Sequence, residues 1–513
     1  MPDLQTNSNN SATATSLPHL QTWLNTPRAS SISKEFATLR DHLHSIPSLN
    51  LSIQQRVSIL DKIYTRSMSS LQILRFSLVD APLPATGKVL QTIGSMQEML
   101  DILAKNLVDL GDIIDKQKHE DSPPSVSLDL ILWRSLYIIS RHIIIGSLRA
   151  SPPNTGVWRQ LHQIYNNACL RKLNRNMPTG TTRSIQDIYY TAVLLGCAQP
   201  TSFTSKEIDF LDTYLERISN QIDLNDDGSE PDSGTFWIDP NCDAPATPFV
   251  RNPPAEGVTV RCFSCGRLSK LLKIQLTKLD SGASPEQVNL PKFAATPAGR
   301  SVLRRLIRYW GDPIKRRFPR RKQNYRGNLC IGLANICHLF HSDKKVAKVS
   351  KWIITSESPD GYTAMYDSGK TGSLKGGDVV ALRTEHSKNW QICIIRRVLS
   401  ENVERIELGL QILSPRVFAA SLALPSKNSE VTPHPALFLP AIPSLRSEEA
   451  LILPAGTLTR RPKDFALVIE KDNVEVREVH IKHSDEQNSQ IEIYTIESSL
   501  PGNTKQPAER LKT

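Results

Sequence analysis

The chain has 513 residues, 39% hydrophobic and 22% charged, enough apolar side chains for several packed cores and roughly three to four domains. Its formal net charge of +11 is concentrated: between Arg300 and Arg326 eleven basic residues face Asp312 alone, which favours a local anion site over a uniformly basic nucleic-acid coat. Eight cysteines, scattered singly apart from one pair, exclude a secreted disulfide framework, and the polar start, Met1 to Ser16, lacks the basic and apolar runs of a secretory signal, so the chain reads as cytoplasmic.

Residues 1–18 are rich in Ser, Thr and Asn and read as disordered. Residues 19–223 read as an α-helical domain. Leu51, Val57, Leu60, Ile63, Tyr64, Met68 and Leu71 recur at three- and four-residue intervals, the period of one helix face. Similar stripes cover 89–114, 128–148, 157–173, 185–196 and 205–222. Ala81-Pro82-Leu83-Pro84, Ser122-Pro123-Pro124, Ser151-Pro152-Pro153 and Met177-Pro178 separate them. Thr204 and Glu207 have the spacing of a capping box at the head of the last stripe. The 128–148 stripe carries Asp129, Arg134, Arg141 and His142, so it reads as a buried helix and not as a membrane span. Trp158, Tyr165 and Ala168 are spaced as in one helix of a tetratricopeptide hairpin. No fixed period recurs, so an irregular helical domain is favoured over a helical-repeat array.

Residues 224–257, rich in Asp, Pro and Asn, read as a linker, and 258–314 as a short helical module with helices at 268–279 and 297–310. Across 315–424 the pattern changes. Runs of Val, Ile, Leu and aromatics at 329–340, 351–355, 362–366, 378–383, 390–399 and 405–413 alternate with Gly, Asp and Ser turns, as in a small antiparallel barrel. A Pro-rich linker at 425–449 leads to a β-rich segment at 450–500, read as a meander, and a disordered tail at 501–513. The fold class is α+β and multidomain: an N-terminal α-helical domain, a β-barrel, and a further C-terminal β-rich segment.

Catalytic chemistry finds little to stand on. Cys262-x-x-Cys265, with Cys242 upstream, lacks the second ligand pair that a zinc site needs within about 20–30 residues. No G-x-S-x-G, GxxxxGK[ST] or HExxH motif is present. Gly369-Lys370-Thr371-Gly372 lies between two expected strands and reads as a hairpin turn, not a phosphate loop. The chain therefore reads as a non-enzyme.

The basic segment Lys315-Arg316-Arg317-Phe318-Pro319-Arg320-Arg321-Lys322 is different in kind. Pro319 stiffens an extended backbone, and guanidinium groups grip phosphate oxygens bidentately and stack on purine rings. After one expected strand comes Trp352-Ile353-Ile354-Thr355-Ser356-Glu357-Ser358-Pro359-Asp360-Gly361-Tyr362, with Ser358 and Gly361 at a strand–turn–strand junction.

These residues together resemble the PilZ family of bacterial cyclic-di-GMP receptors. That family carries RxxxR before the first strand and [D/N]xSxxG at a later turn of a six-stranded barrel. Two overlapping RxxxR registers are present, Arg316/Arg320 and Arg317/Arg321, and the second motif is represented by Ser356, Ser358 and Gly361. Gly376-Gly377-Asp378, Trp390 and Glu407-Leu408-Gly409-Leu410-Gln411 look like later parts of the same barrel. The resemblance covers 315–420 and implies a cyclic-di-GMP ligand held by Arg316, Arg317, Arg320, Arg321, Ser356, Ser358 and Gly361. It also implies a protein partner engaged through the helical domain and an output in bacterial motility, pili or biofilm. Ser356 stands where the family has Asp or Asn; a lost bidentate base contact costs about 1–3 kcal/mol, so the resemblance implies binding that is weaker, or absent as in degenerate members of the family. Two alternatives stay open: a nucleic-acid-binding protein using the same basic segment, and a ligandless scaffold.

Overall fold

A computed structural model describes residues 17–79, 81–117, 127–222, 232–311, 318–340, 347–402, 404–425, 431–443, 446–458, 464–470 and 474–499. The helical part comprises α1 (Leu17–Leu24), α2 (Ile32–Ser45), α3 (Ile53–Val79), α4 (Gly87–Gln117), α5 (Leu128–Leu148), α6 (Val157–Leu170), α7 (Ile185–Cys197) and α8 (Ser205–Ile218). The expected capping box of Thr204 and Glu207 opens α8, and a second, Ser184 with Asp187, opens α7. Each such cap is worth about 1 kcal/mol. Helix α5 is buried on most of its surface, and its Arg141 and His142 are each paired with a carboxylate. Arg141 donates to both oxygens of Asp212 at 2.8 and 2.9 Å, and His142 meets Asp101 at 3.0 Å. Among the described residues no helix is long and apolar enough to cross a membrane.

The stretch expected as a linker and a separate helical module belongs to the same body. Strands β1 (Thr235–Ile238), β2 (Thr247–Pro248) and β3 (Arg261–Ser264) form a small antiparallel sheet, followed by α9 (Gly266–Asp280) and α10 (Pro297–Gly311). Phe236, Phe263, Leu272, Leu306 and Trp310 share the apolar cluster that begins at Leu20. Strands of two to four residues are too short to show a period, which is why this region reads as loop.

The first barrel is built from β4 (Arg321–Ile331), β5 (Val349–Ser358), β6 (Gly361–Ser368), β7 (Val379–Thr384), β8 (Gln391–Ser400) and β9 (Ile406–Ser414), closed in the order β4-β5-β6-β9-β8-β7. Leu329, Trp352, Ile354, Leu382, Ile395 and Leu408 belong to its core. The first strand expected at 329–340 is corrected: β4 begins at Arg321, and the later apolar run is a helix, α11 (Leu333–Phe340). Gly332, at φ +87°, turns the chain between them. An apolar run this short does not distinguish helix from strand by its pattern.

The C-terminal β-rich segment is a second closed barrel, and the meander expected in it is present as its last three strands, paired in succession. Its strands are β10 (Phe418–Pro425), β11 (Val431–Leu439), β12 (Glu449–Pro454), β13 (Asp464–Glu470), β14 (Val474–Gln487) and β15 (Ile491–Ser499), in the order β10-β11-β12-β15-β14-β13. The Pro-rich linker expected at 425–449 contains the whole of β11. Pro433 and Pro435 are two residues apart, so both missing amides point to the same side of the strand. Paired with β10 along its length, β11 meets β12 only at Leu437–Leu439, beyond both prolines.

Outward-facing Cys330, Val379, Ala381, Ile392 and Ile394 of the first barrel pack against Leu437, Leu439, Ala450, Ile452 and Ile493 of the second, with Ile336 and Cys337 of α11 between them. The helical part docks on the first barrel through Leu83 and Ala150, which join its apolar cluster. Backbone bonds tie the same contact: Leu374 N–H donates to Leu83 O at 2.8 Å and Ser400 N–H to Ala150 O at 3.0 Å.

Candidate functional site

The β5–β6 hairpin turns through Pro359 and Asp360, with Ser358 paired to Gly361. Ser358 Oγ donates to Asp360 Oδ1 at 2.6 Å and approaches Gly361 O at 3.2 Å, so its hydroxyl shapes the turn. Gly361 is required by close approach: a Cβ there would sit 2.1 Å from Leu410 O on β9.

A register shift between Ile354 and Ser356 sets Ser356 directly opposite Thr363. Ala364 belongs to the barrel cluster and Tyr362 packs against it, so Thr363 between them points to the outer face. Ser356 Oγ donates to Thr363 Oγ1 at 2.9 Å. Arg320, immediately before β4, lays Nη1 against this hydroxyl pair: it donates to Thr363 Oγ1 and lies 3.5 Å from Ser356 Oγ. Arg321 is exposed in β4, opposite Glu357. The structure thus brings Arg320 and Ser356 together and places Ser358 and Gly361 at the end of the same hairpin, with Arg321 on the adjoining strand. Arg316 and Arg317 lie outside the described residues.

Sequence reasoning passed over Thr363. It lies two residues after Gly361, on the same face of β6, so strand alternation from the glycine would have found it. Also unforeseen is the cluster around Glu357, which accepts from Tyr325 OH at 2.5 Å and from Gln323 Nε2 at 2.9 Å. Burial raises the Tyr325 phenol above its usual range, and its bond to Glu357 raises it further. Gln391 Nε2 donates to Tyr362 OH at 3.0 Å, and burial raises this phenol also. Tyr325 and Tyr362 remain neutral donors and acceptors at physiological pH.

What this arrangement can do is bind an anion with an attached planar group. A half-buried guanidinium held by two hydroxyls has its plane set in advance, and forked N–H donors suit phosphate oxygens or the acceptor edge of a base.

The other sequence features lie elsewhere. Cys262 is half-buried in β3, Cys265 is buried ahead of α9, and Cys242 donates to Asp239 Oδ2 at 3.0 Å. Among the described residues no group of three or more His, Cys, Asp and Glu is placed to hold a metal. Gly369 and Gly372, at φ +103° and +70°, form a turn after β6, closed by Tyr366 OH donating to Gly369 O at 2.6 Å.

Comparison with known proteins adds two family matches. Residues 18–230 match the family described as cyclic-di-GMP receptor FimW, N-terminal domain, and residues 341–418 that of cyclic-di-GMP receptor FimW, middle PilZ domain. The second match includes the β5–β6 hairpin and leaves out the arginine segment; the second barrel is outside both. The chain is 21% identical over 402 residues to the cyclic-di-GMP receptor FimW of Pseudomonas aeruginosa, covering 63% of this chain and 65% of that protein. It therefore spans slightly less than two thirds of that relative's length. No solved structure matches it.

Proposed function

The chain belongs to the PilZ-domain receptor family, and from that premise we propose that it is a non-catalytic effector that binds cyclic-di-GMP on the outer face of its first barrel. The observation that carries this reading is Arg320 poised over the Ser356–Thr363 hydroxyl pair at the β5–β6 hairpin. Arg320's place favours the Arg316/Arg320 register, with Arg317 and Arg321 as flanking cations. Ser356, Ser358 and Gly361 form the opposite wall, where Gly361 lets the hairpin close tightly against Leu410 of β9. Without an Asp or Asn at position 356, the base contact passes to Arg320, whose guanidinium the hydroxyls orient.

The mechanism is ligand-gated packing. A dianion neutralises the clustered arginines and favours the arrangement in which Arg320 and Arg321 face it on the barrel. These residues follow α10 in the chain, so ligand bound there biases how the helical surface is presented to a protein partner. The output we assign is bacterial surface behaviour (motility, pili or biofilm) in the cytoplasm. The coupling requires the ligand to favour one arrangement over the other in free energy.

The test is calorimetric titration of the full chain with cyclic-di-GMP, beside GTP and a short RNA, at low and moderate salt. Low-micromolar or tighter binding, selective for the cyclic dinucleotide and lost in Arg320→Ala, supports the receptor. Silence toward cyclic-di-GMP with tight, salt-steep RNA binding would replace it with a nucleic-acid protein. Silence toward all three would leave a scaffold.

A further inference from the structure

The two barrels have the same strand order. With strands lettered a to f along the chain, each closes as a-b-c-f-e-d. Corresponding faces can therefore be compared directly. The second barrel docks through the outer face of its b, c and f strands, with Leu437, Ile452 and Ile493 prominent. It docks onto the outer face of the a, d and e strands of the first, with Cys330, Ala381 and Ile392 in one cross-strand row. The contact joins unlike faces, so each barrel keeps one of the two faces uncovered by the other.

On the second barrel the remaining face is a-d-e. Its central row is Ser421–Val468–Val476, the counterpart of the row Cys330–Ala381–Ile392 that the first barrel buries. Val474 and Val476 stand 69% and 47% exposed there, and exposed Glu478 borders them. With half-buried Val468, which pairs with Val476, the two valines form one contiguous apolar strip on this face.

On the first barrel the remaining face is b-c-f. Its row Ile353–Met365–Glu407 is the counterpart of the docking residues Leu437 and Ile452 in the second barrel. Ile353 and Met365 are half-buried, and exposed Lys351 and Arg326 flank them. One leftover face thus carries exposed valines with a carboxylate at its border. The other carries Ile353 and Met365, with cations on the β4 and β5 side and carboxylates, Glu407 (paired with Arg397) and Asp367, on the other side.

We propose that copies of this chain associate head to tail. The b-c-f face of the first barrel of one copy seats on the a-d-e face of the second barrel of the next, repeating between molecules the contact already made within one. A contact between unlike faces leaves a free face at each end, so it propagates into open chains, or into rings where the rotation closes. The proposal is argued from the faces, not from the ligand, but Ser356 and Thr363 lie on the same b-c-f face, so cyclic-di-GMP bound there would compete with the next copy.

The experiment uses the full-length chain, light scattering coupled to size exclusion, and two variants. Val476→Arg blocks the a-d-e face of the second barrel; Ile353→Arg blocks the b-c-f face of the first. The wild type is expected to show a mass that rises with concentration, and each variant alone to be monomeric. Because each variant keeps the face the other has lost, an equimolar mixture is expected to give dimers and nothing larger, which also shows that both have folded. A wild type that stays monomeric up to its solubility limit overturns the proposal. So does an Ile353→Arg protein that dimerises by itself, which would mean like faces pair, and so does a mixture of the two variants that fails to associate.

Discussion

Replacing Thr363 by valine removes one hydroxyl and keeps the shape of the side chain, so it isolates what that oxygen does for Arg320. Thr363 is 7% exposed, and its Oγ1 accepts from both Arg320 and Ser356. Without it the guanidinium loses this contact, and the neighbouring Ser356 Oγ stands at 3.5 Å, the limit of a useful hydrogen bond. A hydrogen bond to a charged group contributes about 1.5–3 kcal/mol. Arg320 is only half-buried and water can replace part of the loss, so the low end applies, and about 1.5 kcal/mol corresponds to roughly tenfold weaker binding. Calorimetric titration with cyclic-di-GMP should show that loss for Thr363→Val and near wild-type affinity for Thr363→Ser, with thermal midpoints almost unchanged. Equal affinity for the valine variant and wild type would refute the positioning argument. A serine variant as weak as the valine one would show that the methyl group, not the hydroxyl, matters.

Two further predictions concern stability and pH. Asp212→Ala strips the buried Arg141 of its bidentate partner and Arg75 of a 2.7 Å contact, leaving Arg141 with Glu216 at 3.7 Å and the face of the Tyr137 ring. Breaking such a buried pair costs about 3–5 kcal/mol, and denaturant titration should show it as a lower midpoint with an unchanged slope. Burial pushes the Asp378 carboxyl up to about 7, against about 3.9 in an unfolded chain. The folded protein therefore holds a proton that the unfolded chain has released between those values. Stability should decline as pH rises from about 4 and level off above about 7. Asp378→Asn should remove this part of the slope, raising the denaturation midpoint at pH 8 and leaving it nearly unchanged at pH 4. Parallel pH profiles for the two proteins would rule out Asp378 as the source.

Much of the helical part is legible along the chain because helices carry their own punctuation. Apolar residues at three- and four-residue spacing outline α3 to α8, prolines separate them, and the Thr204–Glu207 box marks the head of α8. In the first barrel the alternating runs reveal that strands exist. The order Arg320, Ser356, Ser358, Gly361 places the hairpin: the Ser358 hydroxyl shapes the turn locally, whereas the reason for the glycine, Leu410 of β9, is seen only in the folded barrel. Other assignments failed where the local pattern is ambiguous. The run 333–340 suits a strand as well as a helix, and two prolines conceal β11 because their harmlessness depends on β12 pairing with β11 only at 437–439, which the spacing does not show.

Local spacing in this sequence determines which segments are helices, where most of them end, that a barrel follows, and which arginines precede it. Tertiary structure alone decided that Thr363 lies under Arg320, because a bulge at Ser356 sets the cross-strand register. It alone decided that α9 and α10 join the helical core and that 418–499 closes into a second barrel with the first one's strand order. It alone decided which face of that barrel is buried. The physical reason is the same in each case. Periodicity records which side of an element avoids water, while register, closure and docking depend on residues far apart in the chain, whose pairing the spacing within any one segment does not encode.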